Sequence, residues 1–101
     1  MNKPELLHSG LSSYNSASLK WASVDDVDSY NVYRSESLDG IYAKINVDAI
    51  TVLNYTDEGL DLAKTYYYKV TAVKGGNKSK KSESSFVTTP AKVGQGDWKL
   101  A

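Results

Sequence analysis

The segment Thr65-Tyr66-Tyr67-Tyr68-Lys69-Val70-Thr71-Ala72-Val73 sets Tyr66, Tyr68, Val70 and Ala72 on one side and Tyr67, Lys69, Thr71 and Val73 on the other. Alternation with period two is the signature of a strand with one buried face. The same rhythm recurs upstream. Ala17, Leu19 and Trp21 alternate with Ser18 and Lys20, and Tyr30 and Val32 alternate with Ser29, Asn31 and Tyr33. Valine, threonine, tyrosine and tryptophan, which fit a pleated surface, fill these windows. Nowhere does a helical i, i+3, i+4, i+7 pattern run for a helical length.

Turn signals separate the strands. They are the acidic loop 23–28, the SESLDG stretch at 35–40 with its Asp-Gly pair, Asp57-Glu58-Gly59, and Gly75-Gly76-Asn77. Seven strands are expected near 5–12, 17–23, 29–35, 41–46, 50–56, 65–74 and 82–89. Short strands at this spacing, without helices, argue for an all-β antiparallel sandwich. Pro90 ends the last strand because it has no N–H for a ladder. The expected domain is therefore 4–90, with 91–101 a linker or the start of a neighbouring module. The Met1 before Asn2-Lys3-Pro4 reads as the edge of an excised piece.

Composition narrows function mainly by exclusion. A chain of 101 residues makes one domain. Its 12 basic and 12 acidic residues balance to +0, without the charge footprint of a nucleic-acid binder. No apolar run reaches the length of a membrane span, and residues 1–10 lack the apolar core of a signal peptide. With 0 cysteines there is no disulfide, no thiol nucleophile and no cysteine zinc site. What stands out is 8 tyrosines against 1 phenylalanine.

An ordered set of motifs resembles a fibronectin type III domain of the kind found in secreted bacterial multimodular enzymes. The set comprises Trp21 in SLKWAS, YNVYRS at 30–35, Tyr55-Thr56-Asp57 followed by Gly59-Leu60, Tyr66 six residues after Leu60, and a serine-rich last strand ending Thr88-Thr89-Pro90. The resemblance covers roughly residues 4–90. It implies an immunoglobulin-like seven-strand sandwich, with strands 5–12, 17–23 and 50–56 in one sheet and the other four in the second. It also implies a tyrosine corner, in which Tyr66 is buried beside Leu60 and its hydroxyl meets a backbone group a few residues upstream. The structural core is expected to comprise Trp21, Tyr30, Val32, Leu60, Tyr66, Tyr68 and Val70. With no disulfide between the sheets, that aromatic centre must hold them together.

Candidate chemistry is sparse. The carboxylates Asp25, Asp26 and Asp28, and Asp57, Glu58 and Asp61, lie in polar turns. Solvation there keeps both members of any pair ionised, so they do not divide into acid and base. Asp57 is expected to bond turn N–H groups. Neither cluster has the ligand spacing of an EF-hand, and His8 has no second histidine with which to share a metal. No GxSxG elbow supports a serine nucleophile. Catalytic residues, metals and cofactors are therefore expected to be absent.

Lys74, Lys78, Lys80 and Lys81 cluster around the last hairpin. They read as edge protection, with contact to a polyanion or an acidic partner as the other reading. Arg34 and Lys44 join them only if the third and fourth strands neighbour that hairpin. Alternation places Tyr33 and Tyr67 outward, with Tyr42 beside them, first as cross-strand aromatic packing over the sheet face and otherwise as a surface for a neighbouring module or for sugar rings. Trp98 stands apart from the core, folded back or at an interface. The sequons at Asn54 and Asn77 matter only in a glycosylating host, and there is no Arg-Gly-Asp.

The role expected is that of a monomeric, non-catalytic spacer and docking module. It would belong to a secreted or cell-surface protein, and the resemblance implies a polysaccharide-acting enzyme. Its partners would be neighbouring domains and possibly polysaccharide, with no nucleic acid and no membrane. A carbohydrate-binding module using Tyr33, Tyr42 and Tyr67 is the alternative.

Overall fold

The alternating segments become strands in two facing antiparallel sheets. The computed structural model describes residues 2–91, so Trp98 and the expected 91–101 linker beyond Ala91 lie outside the described residues. The strands are β1 (Leu6–Ser13), β2 (Ser16–Trp21), β3 (Ser29–Ser35), β4 (Ala43–Lys44), β5 (Asn54–Asp57), β6 (Thr65–Lys74), β7 (Asn77–Lys78) and β8 (Ser85–Thr88). One sheet is three-stranded, in the order β1-β2-β5. The other is five-stranded, in the order β4-β3-β6, with β7 and β8 following one another along the far edge of β6. The expected division of strands between sheets is observed except in the stretch expected at 50–56, whose first residue pairs with the five-stranded sheet.

The inward positions interlock between the layers. Ala17, Leu19 and Trp21 come from β2, Tyr30 and Val32 from β3, Tyr66, Tyr68, Val70 and Ala72 from β6, and Val87 from β8. Register explains the fit, since Val32 faces Val70 and Tyr30 faces Ala72 across the β3–β6 ladder. Trp21 is 1% exposed, and its ring centroid lies 5.7 Å from that of Tyr30 at 55°. A tilted aromatic pair of this kind adds about 0.5–1.5 kcal/mol to its area term. The Tyr30 hydroxyl in turn accepts the Val24 N–H at 2.9 Å, fixing the loop that leaves β2.

Tyr66 and Leu60 close the opposite end of the core. The Asp61 N–H donates to the Tyr66 hydroxyl at 2.9 Å, five residues upstream, while both Tyr66 and Leu60 are buried. Tyr66→Phe strands that N–H, so a loss of roughly 1–3 kcal/mol is expected in urea unfolding. An unchanged midpoint would remove the bond from the account of stability.

Three strands differ from their expected extents, each for a backbone reason. The stretch expected at 41–46 narrows to Ala43–Lys44 because Asn46 replaces the ladder with its side chain. Its Oδ1 accepts the Val32 N–H at 2.8 Å, and its Nδ2 donates to Asn31 Oδ1 and to the Asp48 carbonyl. The stretch expected at 50–56 changes sheets partway. Ile50 exchanges backbone bonds with Tyr30 in the five-stranded sheet, whereas the Leu53 carbonyl accepts from Trp21 in the other. The last strand, expected at 82–89, runs only over Ser85–Thr88. Ahead of it the hydroxyls of Ser79 and Ser82 accept the N–H groups of Ala72 and Val70, each at 2.9 Å.

The two glycine-bearing turns also part company. Gly75 and Gly76 both have positive φ, 55° and 90°, and close a two-residue hairpin between Lys74 and Asn77. Asp39-Gly40 does not act this way. It lies inside the longer loop 36–42, where the Gly40 N–H bonds the Ser37 carbonyl and a Cβ would strike the hydroxyls of Ser35 and Ser37.

Candidate functional site

The outer face of the five-stranded sheet is where polar chemistry and exposed rings come together. No strand of that sheet carries an aspartate or glutamate, while Lys44, Lys69, Lys74 and Lys78 lie along it. Lys44 and Lys69 flank Tyr33 directly in register, one from β4 and one from β6. Residues paired in this way across antiparallel strands project to the same face.

Tyr33 is the main correction to the sequence reading. Alternation puts it on the outer face, yet it is only 6% exposed. The Lys81 ammonium sits 4.9 Å from its ring centroid, and the Thr71 hydroxyl donates to its phenol oxygen at 3.3 Å. The Lys81 chain, from the loop after β7, covers the ring and keeps its charged end free for water. Tyr33 therefore offers no platform for stacking.

Tyr42 and Tyr67 are both half-buried on this face. The Lys69 ammonium lies 4.6 Å from the Tyr42 ring centroid, and the Tyr42 hydroxyl donates to the Leu38 carbonyl at 2.9 Å. Partial burial pushes the Tyr42 phenol above its ordinary range. Tyr67 packs against Phe86, its direct cross-strand neighbour, with centroids 6.2 Å apart at 45°. Phe86 is 60% exposed, and with Leu38 and Thr65 it lines a shallow depression. Phe86 was missed in the sequence, although Val87 pointing inward fixes its neighbour as outward.

Arg34 does not join this face. It turns inward opposite Tyr68, where its Nη1 donates to Asp57 Oδ2 at 2.8 Å across the gap between the sheets. The Tyr68 hydroxyl donates to the same oxygen at 2.8 Å, and the guanidinium lies 5.3 Å from the Tyr66 ring centroid. Asp57 thus joins the two layers instead of bonding turn N–H groups. Burial is the first reason the Tyr68 phenol is pushed far above its ordinary range, and the adjacent Asp57 charge and bond are the next. Burial also pulls the Arg34 guanidinium down, but the bond and charge of Asp57 outweigh it and raise it overall.

The loop carboxylates serve local pairing. Lys74 bonds Asp26 at 2.9 Å and holds that carboxyl below its usual range, while Asp28 accepts the Gly75 N–H at 2.8 Å. Asp61 lies 3.7 Å from Lys64, whose firmer partner is Glu36 at 2.8 Å. His8 is exposed on the other sheet, opposite Lys20.

No protein-family profile matches the chain. Among solved structures it is similar to an Fn3-like protein from Clostridium thermocellum, with 37% identity and a TM-score of 0.78, covering 92% of this chain and 96% of that one. It is also similar to part of a β-1,2-glucanase from Parabacteroides distasonis, at 32% identity and a TM-score of 0.72. That match covers 91% of this chain but 13% of the enzyme. Among curated proteins it matches an amylopullulanase of Thermoanaerobacter thermohydrosulfuricus, 44% identical over 62 residues, which is 60% of this chain. The matched stretch is 4% of the amylopullulanase.

Proposed function

The chain belongs to the fibronectin type III family, and we propose that it is a non-catalytic spacer and docking module of a larger extracellular or cell-surface protein that acts on polysaccharide. One observation supports the spacer role, the placement of the first and last described segments at opposite ends of the sandwich. The chain enters where the Ala22 N–H bonds the Glu5 carbonyl, beside Trp21. It leaves where the Ala63 N–H bonds the Pro90 carbonyl, at the β1–β2 turn end of the sandwich. Neighbours on either side are then held apart by at least the 8 residues of β1, about 26 Å at 3.3 Å per residue. The amylopullulanase and glucanase matches supply the polysaccharide setting.

The test places the 101-residue chain between donor and acceptor fluorescent proteins. A single narrow transfer efficiency is expected, in contrast to the broad distribution given by a Gly/Ser linker of equal length. An equally broad distribution would end the spacer reading.

The exposure of Phe86 beside Tyr67 favours a second reading, stacking of neutral sugar rings on that pair with Tyr42 at its border. Tyr33, which belonged to this surface by alternation alone, drops out of it. Retardation in pullulan gels that disappears in Tyr67→Ala with Phe86→Ala would support the second reading.

A further inference from the structure

We infer that Lys44, Lys69 and Lys81, which share the sheet face that carries Tyr33 and Tyr42, form a binding face for a carboxylate-bearing polysaccharide. The three come from separate parts of the chain yet meet on one surface. Lys44 and Lys69 sit on either side of Tyr33, two strand spacings apart, or roughly 10 Å between Cα atoms. Lys81 reaches the same ring from the segment after β7. The condition for extending the hairpin lysines is thus met by Lys44, because β3 pairs with β6, whereas Arg34 is withdrawn into the sheet interface.

None of the three has a carboxylate within 4.0 Å among the described residues, whereas Lys3, Lys64 and Lys74 all do. Glu83, whose carboxyl feels Lys69, is bonded to Lys3 at 3.0 Å. Lys69 and Lys81 rest instead on the rings of Tyr42 and Tyr33, which attract the cation without neutralising it. A tyrosine ring also limits where each ammonium can wander, so less freedom is lost when an anion arrives. Among the described residues the face therefore carries positive charge that no contacting carboxylate pairs, on a chain whose net charge is +0.

The spacing selects the class of anion. Duplex DNA presents about one charge per 1.7 Å and is bound by proteins of strong net positive charge. A uronate chain presents at most one carboxylate per sugar and an apolar ring face between charges. The exposed Phe86 and the half-buried Tyr67 lie together on the same sheet face, ready to take such rings while the lysines take the carboxylates. The polysaccharide half of this assignment rests on the setting proposed above; the anionic half rests on the lysines alone.

The experiment is calorimetric titration of the 101-residue chain with polygalacturonate, pullulan and single-stranded DNA in low salt. Polygalacturonate is expected to bind, to weaken as NaCl is added, and to outcompete both other polymers. Lys44→Gln, Lys69→Gln and Lys81→Gln together should weaken binding about tenfold or more, from three exposed ion pairs. Arginine at the same three positions should preserve binding, and Lys20→Gln on the opposite sheet should leave it unchanged. Undiminished binding by the triple glutamine variant would overturn the assignment, as would pullulan or DNA binding as tightly as polygalacturonate. Circular dichroism of each variant separates loss of charge from loss of fold. Failure here leaves the fluorescence-transfer result standing, so the two readings fall separately.

Discussion

Asp57→Ala should lower unfolding stability by about 3 kcal/mol, read as a fall in the urea midpoint at neutral pH. Removing one member of a buried pair strands the other, which typically costs about 3–5 kcal/mol. The lower end applies because the Arg34 side chain is 33% exposed and retains some water, whereas Asp57 is 9% exposed. The loss also leaves the Tyr68 hydroxyl without its acceptor deep between the sheets. Replacing the set by Asp57→Leu, Arg34→Met and Tyr68→Phe together should recover most of the stability, since well-packed apolar groups often equal a buried ion pair. A midpoint shift worth less than about 1 kcal/mol for the single variant would show that the layers do not depend on this bridge.

The same bridge predicts an alkaline signature. Folding holds the Tyr68 phenol well above its ordinary pKa, through burial and then the Asp57 charge. The unfolded chain gives up that proton near pH 10 while the folded chain keeps it. Its contribution is therefore complete below about pH 10 and declines as pH rises beyond it. In Tyr68→Phe the slope of stability against pH should flatten above pH 10, measured against the parent chain.

Trp21→Ala should be the other severe change, at about 3–5 kcal/mol, the range for truncating a large buried aromatic. A domain of this size commonly has a total stability of about 5–10 kcal/mol, so the variant should be partly unfolded at 37 °C. Two features make the site hard to repair. Trp21 contacts Tyr30 from the opposite sheet, and there is no disulfide to hold the layers while the cavity collapses. One feature works the other way. Among the described residues the indole Nε1 has no acceptor, a burden of about 1–3 kcal/mol that the native ring burial already outweighs. Trp21→Phe should therefore cost less than its lost area suggests. Equal losses for Trp21→Phe and Trp21→Ala would contradict that reading of the indole N–H.

The parts of the molecule legible in the sequence are those set by period and local order. Tyr66, Tyr68, Val70 and Ala72 declare their face by alternation, and the same rule separates Lys69 and Tyr67 from them. Sheet membership followed from the ordered motifs of the resemblance. What stayed hidden depends on side chains far apart in the chain. Nothing local to Arg34 says that it will meet Asp57, 23 residues on, through the sandwich interior. Alternation gives the side of the sheet on which Tyr33 stands but not its exposure, because its cover comes from Lys81. Strand ends were obscured for a related reason. Asn46, Ser79 and Ser82 continue the hydrogen bonding with side-chain oxygens, so backbone pairing stops while the ladder does not.

The position of the entry and exit segments, at Glu5 and Pro90, has a mechanical consequence. β1 and β8 run in the same direction, β1 away from the entry end and β8 toward the exit, with Ser9 bonded to both the Ser85 hydroxyl and the Phe86 carbonyl. A pull on the two ends drags β1 lengthwise along β2 and β8 lengthwise along β6. The bonds of each ladder then bear the load side by side rather than opening one after another. The proposed spacer role would place just such a tension on these two ladders.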